Sequence, residues 1–239
     1  MIPEYIKDFD FRDYNQVTEL AGKGSGKTNL AAARANAMDK FIFVDTLGVL
    51  NPTSDLRSAR IPESNYFMND KNGTGDSVDM FIQMHRLSPF QWRHVIDFSE
   101  YVSLEERQEA INKLCQFVIS QAKNSGNKYP VIIDEVADFA PEHKEPPEAL
   151  HRLIKNGRNY GIVPVVIITQ RPQSTSKQIL DLTDCFVLGS QSAPVTAEYV
   201  AKIAELDPEF IKSIKPREFY ISQEKKMYKA PHYRFSKKQ

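Results

Sequence analysis

The sequence predicts an α/β fold, a mostly parallel, doubly wound sheet flanked by helices. Three observations carry that prediction. A glycine-rich turn, Ala21-Gly22-Lys23-Gly24-Ser25-Gly26-Lys27-Thr28, sits between an apolar lead-in (Val17, Leu20) and a helix-forming run, Leu30–Ala37. Two apolar β-branched runs, Pro130–Glu135 and Val165–Thr169, end in polar side chains, as strands buried on both faces of a parallel sheet do. Stretches of strand and helix periodicity alternate along the chain, the pattern of βαβ units.

The elements follow in order. Residues 1–15 are polar and aromatic, a short arm or a first strand. A strand at Val17–Ala21 leads to a helix at Thr28–Met38, and Phe41–Asp45 forms a second buried strand. Residues 51–77 are rich in Asn, Ser, Asp, Gly and Pro and read as a long irregular insertion. A short helix at Asp79–Met84 and a strand at His94–Phe98 come next. In Leu104–Lys123 the residues Ile111, Leu114, Cys115, Val118, Ile119 and Ala122 recur at three- and four-residue spacing, which gives one apolar helix face. A turn at Asn124–Tyr129 precedes the strand that ends in Asp134 and Glu135. A helix at Pro147–Arg158, a strand at Ile162–Thr169, a helix at Ser176–Leu182 and a strand at Cys185–Ser190 continue the alternation. Helices at Thr196–Ala204 and Pro208–Ile214 precede a hairpin, Glu218–Ser222 with Met227–Tyr228, and residues 223–239 close the chain as hairpin and basic tail. The 239 residues are expected to form one domain, large enough to bury a core without disulfides or structural metal.

The glycine-rich turn carries the most specific chemistry. Its glycines let consecutive backbone N–H groups curl around phosphate oxygens, and the following helix adds its positive dipole end. Gly22, Lys23, Gly24, Ser25, Gly26, Lys27, Thr28 and Asn29 make the nucleotide-binding set. Lys27 would reach the β- and γ-phosphates of ATP, and Thr28 would hold Mg²⁺. Asp134 is placed at a strand end to hold the same Mg²⁺, and Glu135 to polarise the attacking water. The strand Val165–Thr169 delivers Gln170 and Arg171 to the same edge; an amide that both donates and accepts makes Gln170 a γ-phosphate sensor. Arg158 is a candidate for stabilising transition-state charge from a neighbouring subunit, because a guanidinium binds phosphate bidentately; Arg171 is the competing candidate.

Composition excludes several classes. Cys115 and Cys185 lie in apolar contexts and read as reduced core residues, which fits a cytoplasmic protein. No run approaches the roughly 20 apolar residues of a membrane span, and Met1–Tyr5 lacks the features of a signal peptide. The five histidines do not cluster at ligand spacing, so no structural zinc is expected. With a formal net charge of zero, nucleic-acid contact requires a local basic feature, such as Arg57, Arg60 and Lys71 of the insertion. No Asn-Lys-x-Asp motif supports a GTPase, and no arginine-dense lid supports a small-molecule kinase.

Gly24-Ser25-Gly26-Lys27-Thr28-Asn29, Val131–Pro141 with its acidic pair, Gly157–Ile162 and Ile168-Thr169-Gln170-Arg171-Pro172 together resemble the HerA/FtsK superfamily of P-loop ATPases. The match in order and spacing runs from about Val17 to Ser222, and the Gln-Arg-Pro ending is its most discriminating piece. The resemblance implies a RecA-like core assembling into a homo-oligomeric ring, usually a hexamer, that hydrolyses ATP at subunit interfaces and pumps double-stranded DNA. It implies that Arg158 or Arg171 acts in trans. In size the chain resembles the superfamily's viral genome-packaging ATPases, which implies docking to a capsid vertex or membrane protein and a place in the host cytoplasm or virion. A cellular or plasmid-borne HerA-like translocase is the alternative motor, and an ATP-gated assembly or switch protein the alternative from another class.

Overall fold

The computed structural model describes residues 4–5, 13–50, 61, 64–68, 76–87, 93–125, 130–223 and 226–229. Their strands are β1 (Glu4–Tyr5), β2 (Gln16–Leu20), β3 (Phe41–Asp45), β4 (Asn65–Phe67), β5 (Arg93–Asp97), β6 (Val131–Ile133), β7 (Val165–Thr169), β8 (Cys185–Gly189), β9 (Phe219–Gln223) and β10 (Lys226–Lys229). The helices are α1 (Lys27–Asn36), α2 (Ser77–Leu87), α3 (Leu104–Ser125), α4 (Glu148–Asn156), α5 (Lys177–Leu180), α6 (Pro194–Ile203) and α7 (Pro208–Ser213).

Among the described residues the strands form one ten-stranded sheet, ordered β1-β10-β9-β8-β2-β7-β6-β3-β5-β4. The seven strands from β8 to β4 are mutually parallel, and β9 turns back antiparallel between β8 and β10. The fold class expected from the sequence is therefore the one found. The two central strands β2 and β7 are buried over their whole length; β7 accordingly reads as an apolar run, whereas β2 buries Gln16, Thr18 and Glu19 among its apolar residues.

The helices divide unequally between the two faces. Among the described residues, only α1 lies on one face, where Leu30, Ala31, Ala32 and Ala35 pack on Val17, Phe41, Phe43, Ile132 and Val166. Its alanines let the helix backbone approach the sheet closely. Helices α2 to α5 pack on the alternate residues Ile42, Val44, Ile96, Val131, Ile133, Val165 and Ile167, and α6 and α7 on Leu20 and Leu188 of that same face. Each fully buried Phe or Ile side chain here contributes roughly 1.5–3 kcal/mol. The long helix α3 starts with reciprocal capping: the Glu106 N–H donates to Ser103 Oγ at 3.1 Å, and the Ser103 N–H to Glu106 Oε2 at 2.9 Å.

Several boundaries differ from the sequence reading. The strand before the acidic pair is only Val131–Ile133, so Asp134 and Glu135 stand just past its end. The expected insertion at 51–77 contains β4, paired in parallel with β5, and Ser77 already begins α2. Polar residues hide this strand because it is a sheet edge with one neighbour. Arg57, Arg60 and Lys71 lie outside the described residues, as do most of the arm and the tail beyond Lys229. Cys115 and Cys185 are free and buried. Among the described residues no helix is long and apolar enough to cross a membrane.

Candidate phosphate-binding and hydrolysis site

The site forms where β2, β7, β6 and β3 end at one edge of the sheet. Strand β7 lies between β2, which carries the glycine-rich loop, and β6, which carries the acidic pair. The end of β7 thereby lies between the glycine-rich loop and the acidic pair.

The loop is tied down on both sides. The Ala21 N–H donates to the Thr169 carbonyl at 3.4 Å and the Gly22 N–H to the Ser190 carbonyl at 2.9 Å. Gly24 and Gly26 take φ of 77° and 94°, which favours glycine, and Gly26 caps α1 with no side-chain hydrogen bond. The first N–H groups of α1 are therefore left for a ligand. Lys27 is buried, Thr28 half-buried, and Lys23, Gly24 and Asn29 exposed. The buried Ser25 hydroxyl has no hydrogen-bond partner among the described residues. Ala21 stands where a glycine is often found, and Gly189 accommodates it: a Cβ on Gly189 would lie 2.7 Å from Ala21 Cβ.

The acidic pair is held in two different ways. The Asp134 N–H donates to the Val44 carbonyl at 3.0 Å, and Thr46 Oγ1 donates to the Asp134 carbonyl. Asp134 Oδ1 accepts the Glu135 N–H at 3.1 Å, while buried Oδ2 has no partner among the described residues. Burial pushes the Asp134 carboxyl up to about 6; the Lys27 charge opposes this, and Glu135 and Asp138 add to it. Glu135 has φ 49° and ψ 62°, a left-handed conformation rare for a non-glycine residue. Its Oε1 accepts from Thr169 Oγ1 at 3.0 Å, and its Oε2 from the Gln170 N–H at 3.1 Å. Two donors, one from the last residue of β7 and one from the residue after it, thus aim a buried carboxylate set on a strained backbone.

Asp134 Oδ2, Thr28 and Ser25 offer hard oxygen donors beside a phosphate-type loop, which suits Mg²⁺. Asp45 and Asp97 end β3 and β5 nearby. Asp45 accepts the Leu50 N–H at 2.7 Å, yet burial first, then the Asp134 and Asp97 charges, push its carboxyl up to about 7.

The two arginine candidates are separated. Arg171 is more than half exposed and engaged within its own chain, with Nη2 2.5 Å from Asp138 Oδ1 and Nε 3.8 Å from Glu135 Oε1. Asp138 also pairs with Arg107 at 3.1 Å. Arg158 is exposed in a 3₁₀ turn, Gly157–Tyr160, before β7 and therefore at the opposite edge of the sheet. It does not meet the site of its own chain. Gln170 is half-buried and its backbone supports Glu135. Sequence reasoning missed the roles of Thr46, Thr169 and Asp138 toward the acidic pair. Of these, Asp138 carried a signal, standing three residues after Glu135 in one helical turn.

No family model matches the chain, and no curated protein does. Solved structures do. The genome packaging NTPase B204 from Sulfolobus turreted icosahedral virus 2, in complex with AMPPCP, superposes with a TM-score of 0.65 at 16% identity, over 93% of this chain and 98% of that one. The bacterial conjugative coupling protein TrwB gives 0.63 at 11% identity, over 100% and 90%. VirB4 of Thermoanaerobacter pseudethanolicus gives 0.59 at 11% identity, over 93% and 90%. The chain thus shares the fold of these proteins, a RecA-like P-loop NTPase core in which the strand ending in Thr169 lies between the strand before the glycine-rich loop and the strand before the acidic pair.

Proposed function

We propose that this protein is an ATP-hydrolysing ring motor that translocates double-stranded DNA, and that its task is viral genome packaging. The observation that carries hydrolysis is the hold on Glu135 by Thr169 and Gln170, at the end of the strand next to the one that leads into the phosphate loop. ATP lies along Gly22–Asn29, with Lys27 on the β- and γ-phosphates. Thr28 and Asp134 hold Mg²⁺, which when bound neutralises phosphate charge and orients the γ-phosphate. Glu135 takes a hydrogen bond from the lytic water and aims its oxygen at the γ-phosphorus. That P–O bond forms as the bond to the β–γ bridging oxygen breaks, giving ADP and phosphate. Gln170 senses the γ-phosphate, and Arg158 of a neighbouring subunit completes the charge around it.

Support for DNA as the load comes from likeness to B204 over nearly the full length of both chains. A hexameric ring would concentrate pore-facing cations from a neutral subunit, and its contacts with DNA phosphates would be sequence-blind. A capsid vertex or membrane protein would dock it. A plasmid or cellular translocase is the second reading, favoured by the equally extensive likeness to TrwB.

The test is the ATPase rate with and without double-stranded DNA at low and moderate salt, with Lys27→Ala as blank. A DNA-stimulated rate that falls with salt is expected. Glu135→Gln should bind ATP normally yet lose at least about 10²-fold in turnover. Turnover indifferent to DNA would instead support an ATP-gated switch.

A further inference from the structure

The segment between α7 and β9 touches the phosphate loop from the side away from the acidic pair. The Arg217 N–H donates to the Ser25 carbonyl at 3.0 Å. A Cβ placed on Gly26 would have Arg217 Cγ as its nearest neighbour, at 3.7 Å. Arg217 takes φ 70°, a conformation that glycine or asparagine would adopt more readily. A flexible loop residue would relax from it; here it is fixed by the Ser25 contact and by the turn in which the Glu218 N–H donates to the Lys215 carbonyl at 3.0 Å. The Arg217 side chain is exposed, so nothing in the core requires an arginine there.

Strand order gives this residue its place along a nucleotide. The γ-phosphate must lie beside Asp134 and Glu135, on the β7 and β6 side of the loop. Arg217 leads into β9, whose first residue Phe219 pairs with Gly189 at the end of β8, on the other side of β2. An extended triphosphate with its γ end at Glu135 therefore runs its nucleoside toward β8 and β9. The buried Ser25 hydroxyl, which has no hydrogen-bond partner among the described residues, lies on the loop that Arg217 braces.

We infer that Arg217 is a nucleotide-binding residue acting within its own chain, contacting the ribose and base of ATP while its backbone braces the phosphate loop at Ser25. The inference rests on the phosphate-loop reading above. A guanidinium suits the position, since its plane packs on a purine face and its N–H groups donate to ribose hydroxyls.

The experiment compares Arg217→Gly with the unaltered protein, titrating MgATP, MgADP and inorganic tripolyphosphate. Glycine suits the backbone at φ 70° and keeps the N–H to Ser25, so only the side chain is lost. Arg217→Gly should weaken MgATP and MgADP about tenfold, the size of one such contact, and leave tripolyphosphate within about twofold. Retained tripolyphosphate affinity also reports an intact loop. Unchanged MgATP affinity would overturn the inference while leaving the phosphate-loop reading standing. Equal loss for tripolyphosphate would overturn it in favour of a general phosphate cation. If the unaltered protein binds neither ATP nor tripolyphosphate, both readings fall.

Discussion

Glu135 and Asp134 are adjacent carboxylates with different surroundings, and the proposed division of work between them rests on that difference. Asp134 keeps one oxygen free beside the Lys27 charge, whereas Glu135 is fixed by Thr169 and Gln170. Thr169→Val preserves shape and removes the hydroxyl that donates to Glu135. Turnover should fall about tenfold, the rate equivalent of one hydrogen bond to a charged group, with ATP affinity unchanged. A normal turnover number would show that the hydroxyl does not aim Glu135. Asp45 supplies a pH dependence. Its carboxyl is raised from 3.8 to about 7 by burial first and by Asp134 and Asp97 after it. A raised carboxyl stabilises the fold at low pH, and that contribution is lost as pH rises through about 7. Nucleotide-free protein should therefore melt at lower temperature at pH 8 than at pH 5.5. Asp45→Asn should flatten that slope by at least about 1 kcal/mol, roughly 2–4 °C in Tm. Parallel slopes for the two proteins would rule Asp45 out as the source.

At the level of elements, α1 is the only described helix on its face of the sheet, and a buried ion pair fastens it. Arg34 on α1 meets Glu19 on β2, both with almost no exposure. The pair joins the helix that presents the phosphate loop to the strand that leads into it. Glu19→Gln leaves a buried guanidinium without its counter-charge and should cost about 3–5 kcal/mol in urea unfolding. The double replacement Glu19→Met with Arg34→Leu should recover most of that loss, because paired apolar substitutes avoid the desolvation of both ions. A single variant as stable as the unaltered protein would refute the tie. The turn Val136–Asp138 is the other decisive small element, since it puts Asp138 where it pairs with both Arg107 and Arg171.

On the scale of the whole molecule, the positions of Arg158 and Arg171 bear on assembly. Arg171 is engaged with Asp138 of its own chain, and Arg158 is exposed at the sheet edge opposite the site. If Arg158 serves a neighbour, Arg158→Ala should lower turnover by about 10³-fold or more. Mixing it with Glu135→Gln subunits should raise activity above either variant alone, because half of the mixed interfaces regain both groups. No gain on mixing would exclude action in trans by Arg158. Full-length likeness to B204 and TrwB places the entire described sheet, and not merely the loop, within that fold.

The sequence alone determined what depends on neighbours along the chain. The glycine turn before α1, the buried strand leading to Asp134 and Glu135, and the strand delivering Gln170 were legible because loop chemistry, strand burial and helix periodicity are local patterns. Strand β4 was not, since an edge strand needs no apolar run on both faces. Tertiary structure alone decided that β7 lies between β2 and β6, that Thr169 and the Gln170 N–H aim Glu135, and that Gly189 makes room for Ala21. It alone brought Arg217 to Ser25, 192 positions earlier in the chain. The physical reason is that sheet order joins residues far apart in sequence, and no local periodicity records which strands become neighbours.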